Sequence, residues 1–235
     1  KAKSALQEFP AERLFETRKQ SLRLTENLSD ADQTVQSMDD ASPAKWHLAH
    51  TTWFFEAFIL RDHAPGYRPY SDDFFYLFNS YYENEGERHP RPFRGMITRP
   101  SAAQVRDYRA HVDEALEKLV ATADADLTEK LAPLVELGIN HEQQHQELLL
   151  TDIKHALSIN PIFPAYSDST AEEEEVGQAE ELHWLRIAGG IYGIGSEGEH
   201  FYFDNESPAH QQLLQDFSIA SRLVTNGEYL EFIED

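Results

Sequence analysis

Two histidines separated by three residues, His141 and His145 in the run HEQQH, carry the strongest chemical signal in the chain. On a helix, positions i and i+4 lie on one face with Cβ atoms about 5–6 Å apart. That spacing suits capture of one metal ion by two imidazoles. The same face extends through Leu148, Asp152 and His155. His50, between Trp46 and Trp53 on the apolar side of another helical stretch, is the next candidate. Three neutral imidazoles from facing helices would hold one side of an ion and leave the other open to substrate or oxygen. Plainer readings stay open at this point: the pair as surface histidines on a Gln- and Glu-rich helix, and His50 as a satisfied core residue. His47 and His155 fall outside the expected ligand set.

The same five residues match the zinc-protease pattern HExxH, with Glu142 as general base. The extended pattern needs a glycine and a third histidine further on. Leu148 and Thr151 stand at those places, and an acidic stretch follows instead of a ligand-bearing one. Tyr81 and Tyr82 form a pair that packs in a core or donates protons beside a metal-bound group. Arg88, Arg91 and Arg94 either clamp a carboxylate or balance an acidic surface.

These residues must be held by elements, and the elements are mostly helical. Residues 10–28 read as a helix. Ser42 and Pro43 give an N-cap and a first helical position, opening a helix through Phe58 with a wide apolar face. Phe74–Glu83 is dense in aromatics and reads as helix or buried irregular chain. Residues 84–100 form a long loop with three prolines. Ser101 and Gln104 make a capping box, and Val105, Tyr108, Val112, Leu116 and Leu119 form the stripe of the helix behind it. Leu127–Ser158 reads as one long helix or a helix pair, with Pro133 and Gly138 as places for a bend. The expected organisation is a helical metal-binding domain over 1–165, an acidic linker over 166–181, and a glycine-rich mixed unit over 182–235, cut short.

Composition narrows the function. Lys and Arg number 20 against 42 Asp and Glu, for a net charge of −22. Such a charge repels nucleic-acid phosphates and anionic lipid heads, so neither nucleic acid nor membrane is an expected partner. There is no cysteine, which excludes disulfides, thiolate metal sites and a cysteine nucleophile. No apolar run reaches the roughly 20 residues of a membrane span. The cytoplasm is the expected compartment.

Taken together, WHLAHTTWFFE (46–56), FNSYYE (78–83), RPFRG (91–95) and NHEQQHQELLLTDIKH (140–155) resemble the N-terminal DinB-like domain of the EgtB-type sulfoxide synthases of ergothioneine biosynthesis. GGIYGIGSEGEHFYFDNESPAH (189–210) and LVTNGEYLEFIED (223–235) resemble the opening of the formylglycine-generating-enzyme-like domain of the same family. The resemblance implies a mainly α protein: a DinB-like four-helix bundle followed by the truncated start of a mixed α+β, C-type-lectin-like domain. It implies one non-haem Fe(II) held by His50, His141 and His145. It implies a reaction in which O2 joins a thiol sulfur, of cysteine or γ-glutamylcysteine, to C2 of the hercynine imidazole as a sulfoxide. Gln144 matches a residue that contacts that imidazole. Tyr81 and Tyr82 match a catalytic tyrosine pair found in one branch. Arg91, then Arg88, are the expected partners of the thiol substrate's carboxylate.

Three rivals follow. A zinc- or nickel-dependent thiol transferase would use the same bundle, although stand-alone transferases lack a segment like Trp184–Asp235. A relative forming a selenium–carbon bond to hercynine would share both domains. An acidic helical binding module would keep the histidines for structure alone.

Overall fold

The computed structural model describes residues 9–80, 87–167, 179–198 and 200–235. The chain divides into two compact units, Lys1–Asp168 and Ser169–Asp235. Residues 168–178, the body of the expected acidic linker, lie outside the described residues.

The first unit is helical. Four helices form its body: α1 (Ala11–Arg23), α2 (Ala44–Phe55), α5 (Ala102–Thr122) and α6 (Ala125–Ser158). Two short helices, α3 (Arg61–His63) and α4 (Asp73–Phe78), lie in the connection between α2 and α5. A 3₁₀ helix, Arg91–Met96, interrupts the expected long loop. α2 packs against α5 and α6, and α1 packs against α6.

α2 is the central element. All twelve of its residues are buried; seven are apolar, and the polar five, Lys45, His47, His50, Thr51 and Thr52, each have a hydrogen-bond partner, as burial of polar groups requires. Trp46, Leu48, Trp53, Phe54 and Phe55 join Leu14, Val105, Val112, Leu116, Leu131, Val135 and Ile139 in one core. Each such aliphatic or phenyl side chain is worth about 1.5–3 kcal/mol of transfer free energy. Beyond Phe55 the helix widens into a π-helical turn, Glu56–Leu60. The buried Glu56 carboxylate accepts from Tyr67 Oη and Tyr108 Oη, both at 2.6 Å, and from the Tyr70 backbone N–H at 3.0 Å. It thereby ties the turn after α3 to α5.

Start signals behave differently at two helices. At α5 the capping box forms as the sequence predicts: Ser101 Oγ accepts from the Gln104 N–H, and Gln104 Oε1 accepts from the Ser101 N–H. α2 begins one residue later than predicted, with Pro43 at the N-cap. The Ser42 hydroxyl instead accepts from Arg94 Nη1 at 2.9 Å, and the Ser42 N–H donates to Asp152. α6 is one helix of 34 residues with Pro133 inside it.

The second unit holds a two-stranded antiparallel ribbon and a helix. β1 (Trp184–Ile187) pairs with β4 (Phe217–Ala220), and β2 (Gly190–Ile194) pairs with β3 (His210–Leu214). Both ladders share one register, so the two pairs are consecutive arms of one long hairpin. The arms meet at Gly189, whose N–H donates to Asp216 Oδ1 at 2.8 Å. A Cβ at Gly189 would lie 2.9 Å from the Asp216 backbone nitrogen, which explains the glycine. α7 (Asn226–Glu234) starts at a Thr225–Glu228 capping box. No described residue from 179 onward is buried. No helix among the described residues is long and apolar enough to cross a membrane.

Candidate metal centre

α2 and α6 bring His50, His141 and His145 together, with one ring nitrogen from each lying within 4.8 Å of the other two. Ring centroids are 5.0 Å apart for His50 and His141, and 4.7 Å for each of the other two pairs. His50 is fixed on three sides. Its Nδ1–H donates to the Phe78 carbonyl at the end of α4, at 2.6 Å. The Trp46 indole stacks on its ring at 4.6 Å and 12°, and the Trp53 indole at 5.7 Å and 14°. With Nδ1 protonated, Nε2 is the bare nitrogen. His141 packs against Phe54, and its Nδ1 is buried with no hydrogen-bond partner among the described residues. Such a nitrogen needs a partner that the described residues do not supply.

Burial, with the neighbouring imidazoles adding to it, pushes His50 and His145 well below the ordinary imidazole range. Burial pushes His141 down to about 4, against a small opposing pull from Glu142. All three rings are therefore neutral at pH 7 and present lone pairs, which metal ligation requires. Three imidazole nitrogens suit Fe(II), Zn(II), Ni(II) or Cu(II), and do not suit Mg(II) or Ca(II). The residues present fit a transition-metal ion.

Glu142 does not face this cluster. One residue along a helix turns the side chain by about 100°, and Glu142 points into the bundle interior. It accepts from Ser21 Oγ at 2.6 Å, from Arg18 Nη1 at 3.2 Å, and from Arg109 Nη2. Burial would raise its carboxyl, but Arg109 and Arg18 outweigh that and hold it below the usual range. Arg18 also donates to Asp113. The carboxylate that a zinc-protease reading needs as a base is thus spent on an internal ion network.

The remaining expected residues are placed less centrally. Gln144 is exposed on α6, about 60° round the helix from His141. Arg91 is half-buried and donates from Nη2 to the Asp40 carbonyl, while the exposed Arg88 donates to the Ser80 carbonyl at 2.5 Å. Tyr81 and Tyr82 lie outside the described residues. The arginine that reaches the cluster's wall is Arg94. It is buried, with its guanidinium carbon 3.4 Å over the Trp46 ring and Nη2 donating to Ser80 Oγ at 3.3 Å. Two further residues extend the cluster without a strong local signal in the sequence, His47 beside His145 and Asp152 behind His47. His47 Nδ1 lies 2.9 Å from His145 Nδ1, and His47 Nε2 lies 3.0 Å from Asp152 Oδ2. The available hints were the i,i+3 spacing of His47 to His50 and the i,i+7 spacing of His145 to Asp152.

Comparison with known proteins extends this picture. The chain is 30% identical to the hercynine oxygenase of Mycobacterium tuberculosis over 225 residues, covering 94% of this chain and 49% of that protein. It is 30% identical to the hercynine oxygenase of Mycolicibacterium thermoresistibile over 232 residues, covering 96% of this chain and 48% of that protein. A short stretch of 37 residues is 57% identical to ergothioneine biosynthesis protein 1 of Schizosaccharomyces pombe, covering 15% of this chain and 5% of that protein. The chain spans about half the length of the two hercynine oxygenases. A family model also matches residues 13–149, a span that runs from α1 past His145 and takes in all three histidines. That span is more than half of the sequence, and on it the chain belongs to the DinB superfamily.

Proposed function

We propose that this chain is part of a hercynine-acting, Fe(II)- and O2-dependent sulfoxide synthase of ergothioneine biosynthesis. The observation that carries the reading is the neutral three-histidine cluster, with His50 buried and His141 and His145 half-buried, within a sequence about 30% identical to hercynine oxygenases over nearly its whole length. The similarity runs past the bundle into the ribbon, which favours this reading over a stand-alone thiol transferase. The second unit is then the opening of a formylglycine-generating-enzyme-like domain.

The net reaction joins hercynine, a cysteine-type thiol and O2. The imidazole C2–H and the S–H bonds break and a C–S bond forms. One oxygen atom ends on sulfur and the other leaves as water. Bound Fe(II) would supply O2 activation at the coordination positions that the histidines leave open. The chain's own residues do the rest. His50, His141 and His145 hold the ion from one side. Gln144, beside His145, contacts the hercynine imidazole. Arg91, with Arg88 as the second candidate, binds the thiol substrate's carboxylate through guanidinium N–H donors. Tyr81 or Tyr82 supplies a proton at the reacting oxygen.

The test uses the full-length protein, loaded anaerobically with Fe(II) and given hercynine, O2 and either cysteine or γ-glutamylcysteine. Mass spectrometry should find the sulfoxide, with one labelled oxygen from ¹⁸O2. Absence of a C–S product with both donors overturns the proposal. A Tyr→Phe change at 81 or 82 should slow sulfoxide formation by roughly 10²–10⁴-fold, the usual worth of general acid catalysis.

A further inference from the structure

We propose that Asp152 and His47 form a hydrogen-bonded relay that sets the tautomer and tilt of His145, so that His145 offers Nε2 to the metal. The inference rests on the reading of His50, His141 and His145 as a metal site and adds two positioning residues to it.

The argument runs outward from the carboxylate. Asp152 Oδ2 accepts from the Ser42 backbone N–H at 2.8 Å and lies 3.0 Å from His47 Nε2. An ionised carboxylate only accepts, so His47 Nε2 carries a proton. A neutral His47 then has a bare Nδ1. That atom lies 2.9 Å from His145 Nδ1, and a hydrogen bond at this distance needs the proton to come from His145. His145 is left protonated at Nδ1 and bare at Nε2. Each proton position follows from the one before it, and the first is fixed by the chemistry of a carboxylate.

The geometry also fixes the ring's attitude. The His47 and His145 rings sit 5.2 Å apart with their planes at 53°. His47 is 3% exposed and Asp152 is 9% exposed, so water competes little for these bonds. The relay joins α2, through His47, to α6, through Asp152 and His145, and Ser42 anchors it ahead of α2. His50 reaches the same tautomer by a different route, donating Nδ1–H to the Phe78 carbonyl. Two of the three rings are thus held with Nε2 bare by partners behind them. Groups of this kind, behind metal-binding histidines, are typically worth 10–100-fold in metal affinity.

Two measurements on the whole chain test the relay. The first is a long-range ¹H–¹⁵N spectrum of the histidine rings in the metal-free protein at neutral pH. It should show His145 protonated at Nδ1 and His47 at Nε2; a His145 protonated at Nε2 overturns the proposal. The second is Co(II) titration, read by affinity and by the visible d–d bands. His47→Phe keeps a flat aromatic ring, somewhat larger, and removes both hydrogen bonds. It should weaken Co(II) binding about 10–100-fold and shift the bands. His47→Asn restores an acceptor toward His145 and should recover part of the affinity. Wild-type affinity and bands in His47→Phe overturn the relay. His145→Ala separates the two ideas. If the wild type binds no Co(II), or His145→Ala binds as tightly, the metal reading itself fails and the relay falls with it. If His145→Ala loses Co(II) while His47→Phe does not, the relay alone fails. If His47→Phe does not fold, the wild-type tautomer spectrum decides.

Discussion

Adjacent residues on α6 serve opposite purposes, and the difference is set by the direction each side chain takes. His141 turns to a cluster of neutral rings, whereas Glu142 turns to two buried guanidiniums. The five-residue motif therefore has one histidine pair facing the cluster and one structural carboxylate, which its spacing alone does not reveal. Glu142→Gln leaves Arg18 and Arg109 buried with reduced compensation. Breaking one side of such a network costs about 3–5 kcal/mol. Urea unfolding should show that loss, while the folded fraction keeps its metal stoichiometry. A zinc-protease base would behave the other way round, with lost activity and little lost stability. Replacing His50, His141 or His145 by Ala should each remove bound iron after anaerobic loading. His155→Ala should keep it, because the His155 Nδ1 is engaged by Ser37 Oγ at 2.8 Å. Unchanged iron in all three cluster variants would remove the site. The cluster was legible in the sequence because the i,i+4 pair is local and His50 lies on an apolar helix. Spacing places Asp152 on the same helix face and Arg94 among the candidate clamps, but the roles of His47, Asp152 and Arg94 were not legible, because those roles depend on which helices meet.

Helix contacts set how closely α2 and α6 approach, and Gly138 leaves no room for a side chain between them. A Cβ there would lie 2.6 Å from two ring carbons of Phe55 and 3.1 Å from Phe54. Those rings have little room to yield, since both are buried and Arg18 sits 4.9 Å over the Phe55 ring. Gly138→Ala gains up to about 1 kcal/mol of helix propensity. It meets about 1–3 kcal/mol of overpacking. The expected result is a lower melting temperature, together with weaker metal binding because α6 is pushed from α2. A raised melting temperature would show that the rings repack. Local signals served well at this scale where they were self-contained. The Ser101–Gln104 box caps α5 as its spacing predicts. The start of α2 was misread by one residue because Ser42 is claimed by Arg94 and Asp152, 52 and 110 residues away in sequence. No local pattern encodes such partners.

The two units differ in what they bury. The first has a core of tryptophan, phenylalanine and aliphatic side chains and contains every described atom of the histidine cluster and its relay. In the second, adjacent strand residues point to opposite faces of the ribbon, yet Trp184 and Leu185 are 68% and 52% exposed. Within the described residues of this unit, neither face of the ribbon is buried. α7 repeats the pattern, with Phe232 73% exposed and Ile233 63% exposed. An apolar sheet face or helix stripe is stable only when another layer covers it, and a lone two-stranded hairpin is marginal in water. The hercynine oxygenases are about twice the length of this chain, so they hold enough additional polypeptide to supply such a layer. Residues 179–235 expressed alone should therefore melt without a cooperative transition and should brighten anilinonaphthalenesulfonate, a dye that reports exposed apolar surface. A chain ending at Ser167 should melt cooperatively, bind one Co(II) as tightly as the whole chain, and leave the dye dark. A sharp melting transition in 179–235 would show that the ribbon and α7 sustain a core of their own. Weaker Co(II) binding by the shortened chain would show that the site draws on residues beyond the bundle.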